Sequence, residues 1–97
     1  MPTFQRLPRF DADLRALTPE QRRRFVIAVG QLVDDLRRGE GFRPGLRVKR
    51  VQATADVWEV TSAPDGRATW QYGPPRREGE AHVVWRRVGT HDVLRRP

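Results

Sequence analysis

Arg47, Lys49, Arg50, Arg67, Arg86, Arg87 and His91 are the residues of this chain whose types could do chemistry together. Guanidinium and ammonium groups bind phosphate and stabilise charge that builds on it, Arg in a bidentate manner. A histidine, which titrates near ~6.5 when unperturbed, gives or takes a proton at neutral pH. Together such groups can hold a phosphate and move a proton beside it. The plain alternative for each Arg is a solvent-facing side chain on an exposed sheet, and for His91 a capping or turn histidine.

Other catalytic templates fail. Gly39-Glu40-Gly41 runs into Phe42-Arg43-Pro44 and lacks the lysine of a phosphate-binding loop. Ser62 is the only serine, with no histidine in a triad pattern around it. Asp34 and Asp35 are adjacent and do not share a helix face, which argues against a two-carboxylate glycosidase. With no Cys, disulfide scaffolds, thiolate metal sites and thiol nucleophiles are excluded, and two His are too few for a His-rich metal site. No cofactor is expected.

The 97 residues suit one domain, spanning 1–97, with a two-layer core. Their net charge of +7 is the footprint of a protein that meets polyanions. The cations are 18 Arg and one Lys, beside a single Ile and no Asn, a bias that reflects GC-rich codons as readily as guanidinium chemistry. MPTFQRLPRF carries no apolar leader core, and no run of 18 apolar residues follows, so a soluble cytoplasmic protein is expected.

The elements that must position these residues are legible from periodicity. Thr3 to Leu7 reads as a short strand. Phe10, Leu14 and Leu17 fall on one helix face between Pro8 and Leu17. Thr18-Pro19-Glu20-Gln21 is a helix start, with Thr18 as cap, Pro19 in the first turn and Gln21 closing a capping box. The helix that follows runs to about Arg38 on a stripe of Phe25, Val29, Leu32, Val33 and Leu36, and Gly39 or Gly41 ends it. Two helices with almost no loop between them should form an antiparallel hairpin.

Beyond Pro44-Gly45 the period falls to about two. Strands are expected over Leu46 to Val51, Val57 to Ser62, Arg67 to Tyr72 and Ala81 to Val88. Pro64-Asp65-Gly66 is a turn, and the Pro74-Pro75 segment is a loop. The predicted class is α+β: a short N-terminal strand and an antiparallel helical hairpin packed on a four-stranded, mainly antiparallel sheet. The far face of that sheet is left to bind something. In a meander, Arg67 and Arg87 approach one edge while His91 folds back over it.

The string Trp85-Arg86-Arg87-Val88-Gly89-Thr90-His91-Asp92-Val93-Leu94 resembles the C-terminal signature of RelE/ParE-superfamily toxins, above all the branch around YafQ, with its Gly-Thr-His-x-x-Leu. Asp56 to Val60 and Asp65 to Tyr72 are similar to the two central strands of that superfamily. Phe10 to Leu14 and Leu36 to Gly39 are similar to its helical half. The resemblance covers essentially the whole chain; the Gly-Thr-His piece is its most specific part.

The resemblance implies a bacterial toxin of a type II toxin–antitoxin pair that cleaves mRNA on the ribosome without a metal. Its partners would be an acidic cognate antitoxin, the ribosome and mRNA, with no membrane. It places the catalytic histidine at His91 and the pattern arginine at Arg87. Arg67 becomes the basic residue after the turn, and Lys49 and Arg50 the basic strand near the phosphate, flanked by Arg47 and Arg86. Two departures stand out. Arg95 occupies the place of an aromatic that stacks on an mRNA base, and the additional histidines of the YafQ branch are absent. Trp70 and Tyr72 then become candidates for stacking, although a strand Trp more often packs in a core. The same scaffold would also serve a ParE-like toxin that binds DNA gyrase, which has no need to keep the set Arg67, Arg87 and His91, or a non-catalytic basic nucleic-acid-binding module.

Overall fold

The computed structural model describes residues 2–97. Its elements are strand β1 (Thr3–Arg6), helices α1 (Pro8–Ala16) and α2 (Pro19–Arg38), and strands β2 (Lys49–Arg50), β3 (Trp58–Ala63), β4 (Gly66–Gly73) and β5 (His82–Thr90). A 3-10 turn at Pro44–Leu46 precedes β2, and another at His91–Arg95 follows β5. The strands form one sheet in the order β1-β5-β4-β3-β2. All pairings are antiparallel except β1 on β5, which is parallel, Thr3 opposite His82 and Arg6 opposite Trp85.

The α+β class is as expected, with two helices on one face of the sheet, but the sheet has five strands because β1 joins it. Local sequence marks β1 as a strand and cannot say which edge it will take. His82 secures the joint: buried in β5, it hydrogen-bonds through Nδ1 to Thr3 Oγ1 (2.8 Å) and through Nε2 to Gln5 Oε1 (2.9 Å).

The helix boundaries follow their chemistry. Thr18 Oγ1 accepts from the Gln21 backbone N–H while Gln21 Oε1 accepts from that of Thr18, so the expected capping box forms. Gly39 ends α2 at φ 68°, a left-handed conformation that glycine adopts without steric cost. The deepest stripe of α2 is Phe25, Ala28, Leu32 and Asp35; Val29, Val33 and Leu36 lie half-buried on its shoulder. They line an apolar groove with Phe4 of β1, bordered by Arg6 and Arg22.

Asp35 enters that stripe because Arg43 meets it. The Arg43 backbone N–H and guanidinium both donate to its carboxylate, at 2.9 Å for the backbone and 2.9 Å for Nη2 to Oδ1. These bonds hold the Asp35 carboxyl below the usual aspartate range against the opposing effect of burial. A carboxyl with a lowered folded pKa adds stability that is complete above the unfolded value of about 4 and is lost as pH falls through the folded value. Asp35→Asn is therefore expected to lower Tm at pH 7. Melting curves at stepped pH should show the gap to wild type closing in acid, below pH ~4.

The expected strand from Leu46 to Val51 shrinks to Lys49–Arg50. Pro44–Leu46 coils into the 3-10 turn and Arg47 takes φ 49°, which breaks the extended run. Basic-apolar alternation does not register that backbone constraint. Arg47 consequently lies off the sheet, on a cleft between α2 and the end of β3.

The core sits between helices and sheet: Phe10, Phe25, Ala28 and Leu32 pack on Val60, Ala68, Trp70, Val83, Trp85 and Val88. Phe25 meets Trp85 edge-on at 5.5 Å between ring centroids, and Trp70 meets Trp85 at 5.8 Å. Trp85 and Val88 are three residues apart, so a regular strand could not bury both on one face. A bulge reconciles them: Thr69 faces Arg87 and Trp70 faces Trp85, leaving Arg86 as the extra residue. Among the described residues no helix is long and apolar enough to cross a membrane.

Candidate active site

The face of the sheet away from the helices carries Glu59 and Thr61 of β3 and Arg67, Thr69 and Gln71 of β4, since Val60, Ala68 and Trp70 point into the core. The C-terminal 3-10 turn folds back against β4 and β5. Gly89 makes room for it: a Cβ there would stand 3.1 Å from Val93 Cγ1. The Thr90 hydroxyl caps the turn, accepting from the Asp92 N–H at 3.4 Å. The Gly-Thr-His string is thus a device for reversing the chain and presenting His91.

His91 stands at the start of that turn with its side chain 63% exposed, open to a large ligand. Its Nδ1 bonds to Asp65 Oδ1 at 2.5 Å, and its backbone N–H points to the same oxygen at 3.5 Å. The imidazole partner holds the Asp65 carboxyl below the usual range, with smaller help from the His91 backbone N–H and the Arg67 charge and opposition from burial. A carboxylate on Nδ1 fixes the tautomer, and Nε2 lies on the exposed side, 3.8 Å from Asp92 Oδ1. Asp65 was legible in the sequence only as a turn residue. Its role arises because β4 and β5 pair Gly66 with Thr90, which places the turn beside the end of β5.

Arg67 lies within the same corner, paired with Gly89. Its Nη1 donates to the carbonyls of Gly66 (2.9 Å), Ala63 (3.3 Å) and Pro64 (3.3 Å). Nε and Nη2 have no partner among the described residues. Lys49 and Arg50, on the far edge strand, line an open cavity of about 530 Å³ with Gln52, Glu59 and Leu94. Leu94 belongs to the 3-10 turn that His91 begins.

Arg86 and Arg87 are employed differently from the expectation. The Arg87 guanidinium grips Asp13 of α1, Nε to Oδ2 at 2.6 Å, and donates through Nη1 to the Arg96 carbonyl at 3.0 Å. Arg86 bonds to Gln71 Oε1 at 2.5 Å and to the Pro97 carbonyl at 3.2 Å. Both therefore hold the C-terminal tail in place. Arg87→Ala should accordingly act on stability, removing charge-assisted bonds worth ~1–3 kcal/mol. Thermal melting should register a fall of roughly 4–8 °C per kcal/mol for a chain of this size.

The stacking candidates are not with His91. Trp70 is wholly buried on the helix side against Phe42, Trp85 and Tyr72 and offers no ring face to a base. Tyr72 is exposed but shares the helix side with Trp70. It lies near the opposite end of β4 from the corner where Gly66 meets Thr90. Strand alternation fixes both, because Ala68, Trp70 and Tyr72 share one face.

No family model matches this sequence, and no curated protein matches it. Solved structures do. The chain is similar to a chain of the Escherichia coli DinJ–YafQ toxin–antitoxin complex, with a TM-score of 0.65, 13% identity and 96% of each chain covered. It is similar to a chain of the RelB–RelE antitoxin–toxin complex from Methanococcus jannaschii (TM-score 0.60, 13% identity, 97% of this chain and 95% of that one). It is also similar to a YoeB/ParE toxin from Agrobacterium tumefaciens (TM-score 0.64, 11% identity, 92% and 98%). This chain has the RelE/ParE toxin fold, in the arrangement found in YafQ.

Proposed function

We propose that this protein is the toxin of a type II toxin–antitoxin pair and acts as a metal-independent endoribonuclease on ribosome-bound mRNA. The observation that carries this reading is the corner where His91, oriented by Asp65, stands beside Arg67 on a cationic sheet face. Structural similarity to toxins crystallised with their antitoxins supports the toxin assignment.

In this reading the RNA 2′-oxygen attacks the adjacent phosphorus. Arg67, Lys49 and Arg50 stabilise the phosphorane charge, and His91 gives a proton to the leaving 5′-oxygen. Arg87 and Arg86 act at one remove, by holding the tail against the sheet. Arg47 lies away from this surface and contributes to the general positive field. Docking on ribosomal RNA is salt-sensitive, as expected for a chain of charge +7. The partner that neutralises it is an acidic antitoxin whose apolar residues fill the groove between α2 and β1, with its carboxylates near Arg6 and Arg22.

Adding the purified protein to a cell-free translation reaction and mapping the message by primer extension tests this reading. Cuts confined to ribosome-bound message support it. An intact message with inhibited DNA supercoiling would replace it with gyrase binding.

A further inference from the structure

Strand β1 stops short of the end of β5. Its last pairing sets Arg6 opposite Trp85, the Leu7 N–H closes on the Trp85 carbonyl at 3.0 Å, and the chain then turns into α1. Beyond that point β5 has β4 on one side and, among the described residues, no strand on the other. Asp13 of α1 stands in for the missing strand: its Oδ2 accepts the Val88 N–H at 3.2 Å. The same oxygen accepts from Arg87 Nε at 2.6 Å, and Oδ1 accepts from Nη2 at 3.3 Å. Arg87 gives its remaining nitrogen to the Arg96 carbonyl at 3.0 Å. Val88 leads into the chain reversal that carries His91, and Arg96 leads out of it. One carboxylate, its side chain 19% exposed, therefore clasps both limbs of that reversal.

We propose that Asp13 is a positioning residue of the reaction, acting on His91 through Arg87 and the chain reversal; this rests on the ribonuclease reading. Between the clasped limbs the turn is held by Val93 against Gly89, by the Thr90 cap and by Asp65 on the His91 ring. The cap and the Asp65 contact are exposed, so water competes for them. The Asp13–Arg87 pair is partly buried and charge-assisted, the stronger class of bond. Val88 stands three residues before His91, about 10 Å along a strand, so a shift of the limbs carries to the imidazole. Misplacing a reacting group by about 1 Å costs on the order of 10²-fold in rate. A clasp that never touches RNA can thus govern the chemical step. Nothing local distinguishes Asp13 from Asp11 two residues earlier, which pairs with Arg6 at the surface. Only the docking of α1 beside the end of β5 separates their roles.

Asp13→Asn is the test, because its amide oxygen still accepts the Val88 N–H while the charge that grips Arg87 is gone. Single-turnover cleavage of mRNA on programmed ribosomes, measured per folded molecule, should fall about 10–100-fold, with ribosome binding by co-sedimentation unchanged. Asp13→Glu, which keeps the carboxylate, should retain more activity than Asp13→Asn. In a His91→Ala background Asp13→Asn should add less than about threefold to the loss, since its effect passes through the missing imidazole. The chain has two His, so ring NMR reads the coupling directly. At fixed pH the His91 signals should move in Asp13→Asn while those of His82 hold. The proposal is overturned if Asp13→Asn cuts within threefold of wild type, if its loss multiplies fully with that of His91→Ala, or if the His91 signals hold as well. Uncut message with the wild-type chain would overturn the ribonuclease reading instead, and the ring signals would still decide whether the clasp reaches His91.

Discussion

Replacing His91 with Ala should lower the single-turnover rate of RNA cleavage by about 10²–10⁴-fold, the range for loss of one general acid or base. The effect should fall on the chemical step alone. His91 is exposed and bonded to Asp65 through a single ring nitrogen, so its removal leaves the sheet and its cations intact. Under the proposed function, ribosome binding rests on Lys49, Arg50 and Arg67 and should change little. His91→Gln should not restore the rate, because an amide hydrogen-bonds without shuttling a proton. Asp65→Asn should give an intermediate loss, since the ring keeps its place but loses the carboxylate that fixes its tautomer. Full cleavage and toxicity in His91→Ala would exclude the proposed acid while leaving the fold untouched.

The second large effect concerns stability. Trp70→Ala should cost about 3–5 kcal/mol, the usual range for emptying a buried Trp site. That is a large fraction of the 5–15 kcal/mol typical of a domain. Trp70 is fully buried at the junction of Phe42, Tyr72 and Trp85, so no rearrangement of one neighbour fills the space. Trp70→Phe should be milder, because it keeps an aromatic ring packed among Phe42, Tyr72 and Trp85. Chemical denaturation measures both. Cleavage per folded molecule should be unchanged in the Phe variant. A tenfold loss of activity there at wild-type stability would return Trp70 to the role of a base-stacking residue.

The local elements were written in the chain because their causes are local. The capping box at Thr18 and Gln21, the stop at Gly39 and the turn at Pro64-Asp65-Gly66 depend on residues within a few positions of one another, and each forms as its residue types require. The Gly-Thr-His string was equally legible as a family signature, whereas the close approach of Val93 to Gly89 came from the folded tail. What the sequence determined by itself was therefore the helices, four of the strands in outline, the α+β class and the choice of His91 as the residue to follow.

Tertiary structure decided which partners those residues would have. Only strand register could reveal that Asp65 meets His91, 26 positions away. Only the docking of α1 on β5 could turn Arg87 from a phosphate ligand into the partner of Asp13, 74 positions earlier. A one-residue bulge at Arg86, invisible to simple alternation, set which side of β5 each arginine would take. Periodicity reports which face a residue occupies within its own element. Chemistry at this site depends on what lies opposite across the sheet, and that is fixed by pairing over long sequence separations, where no local preference acts.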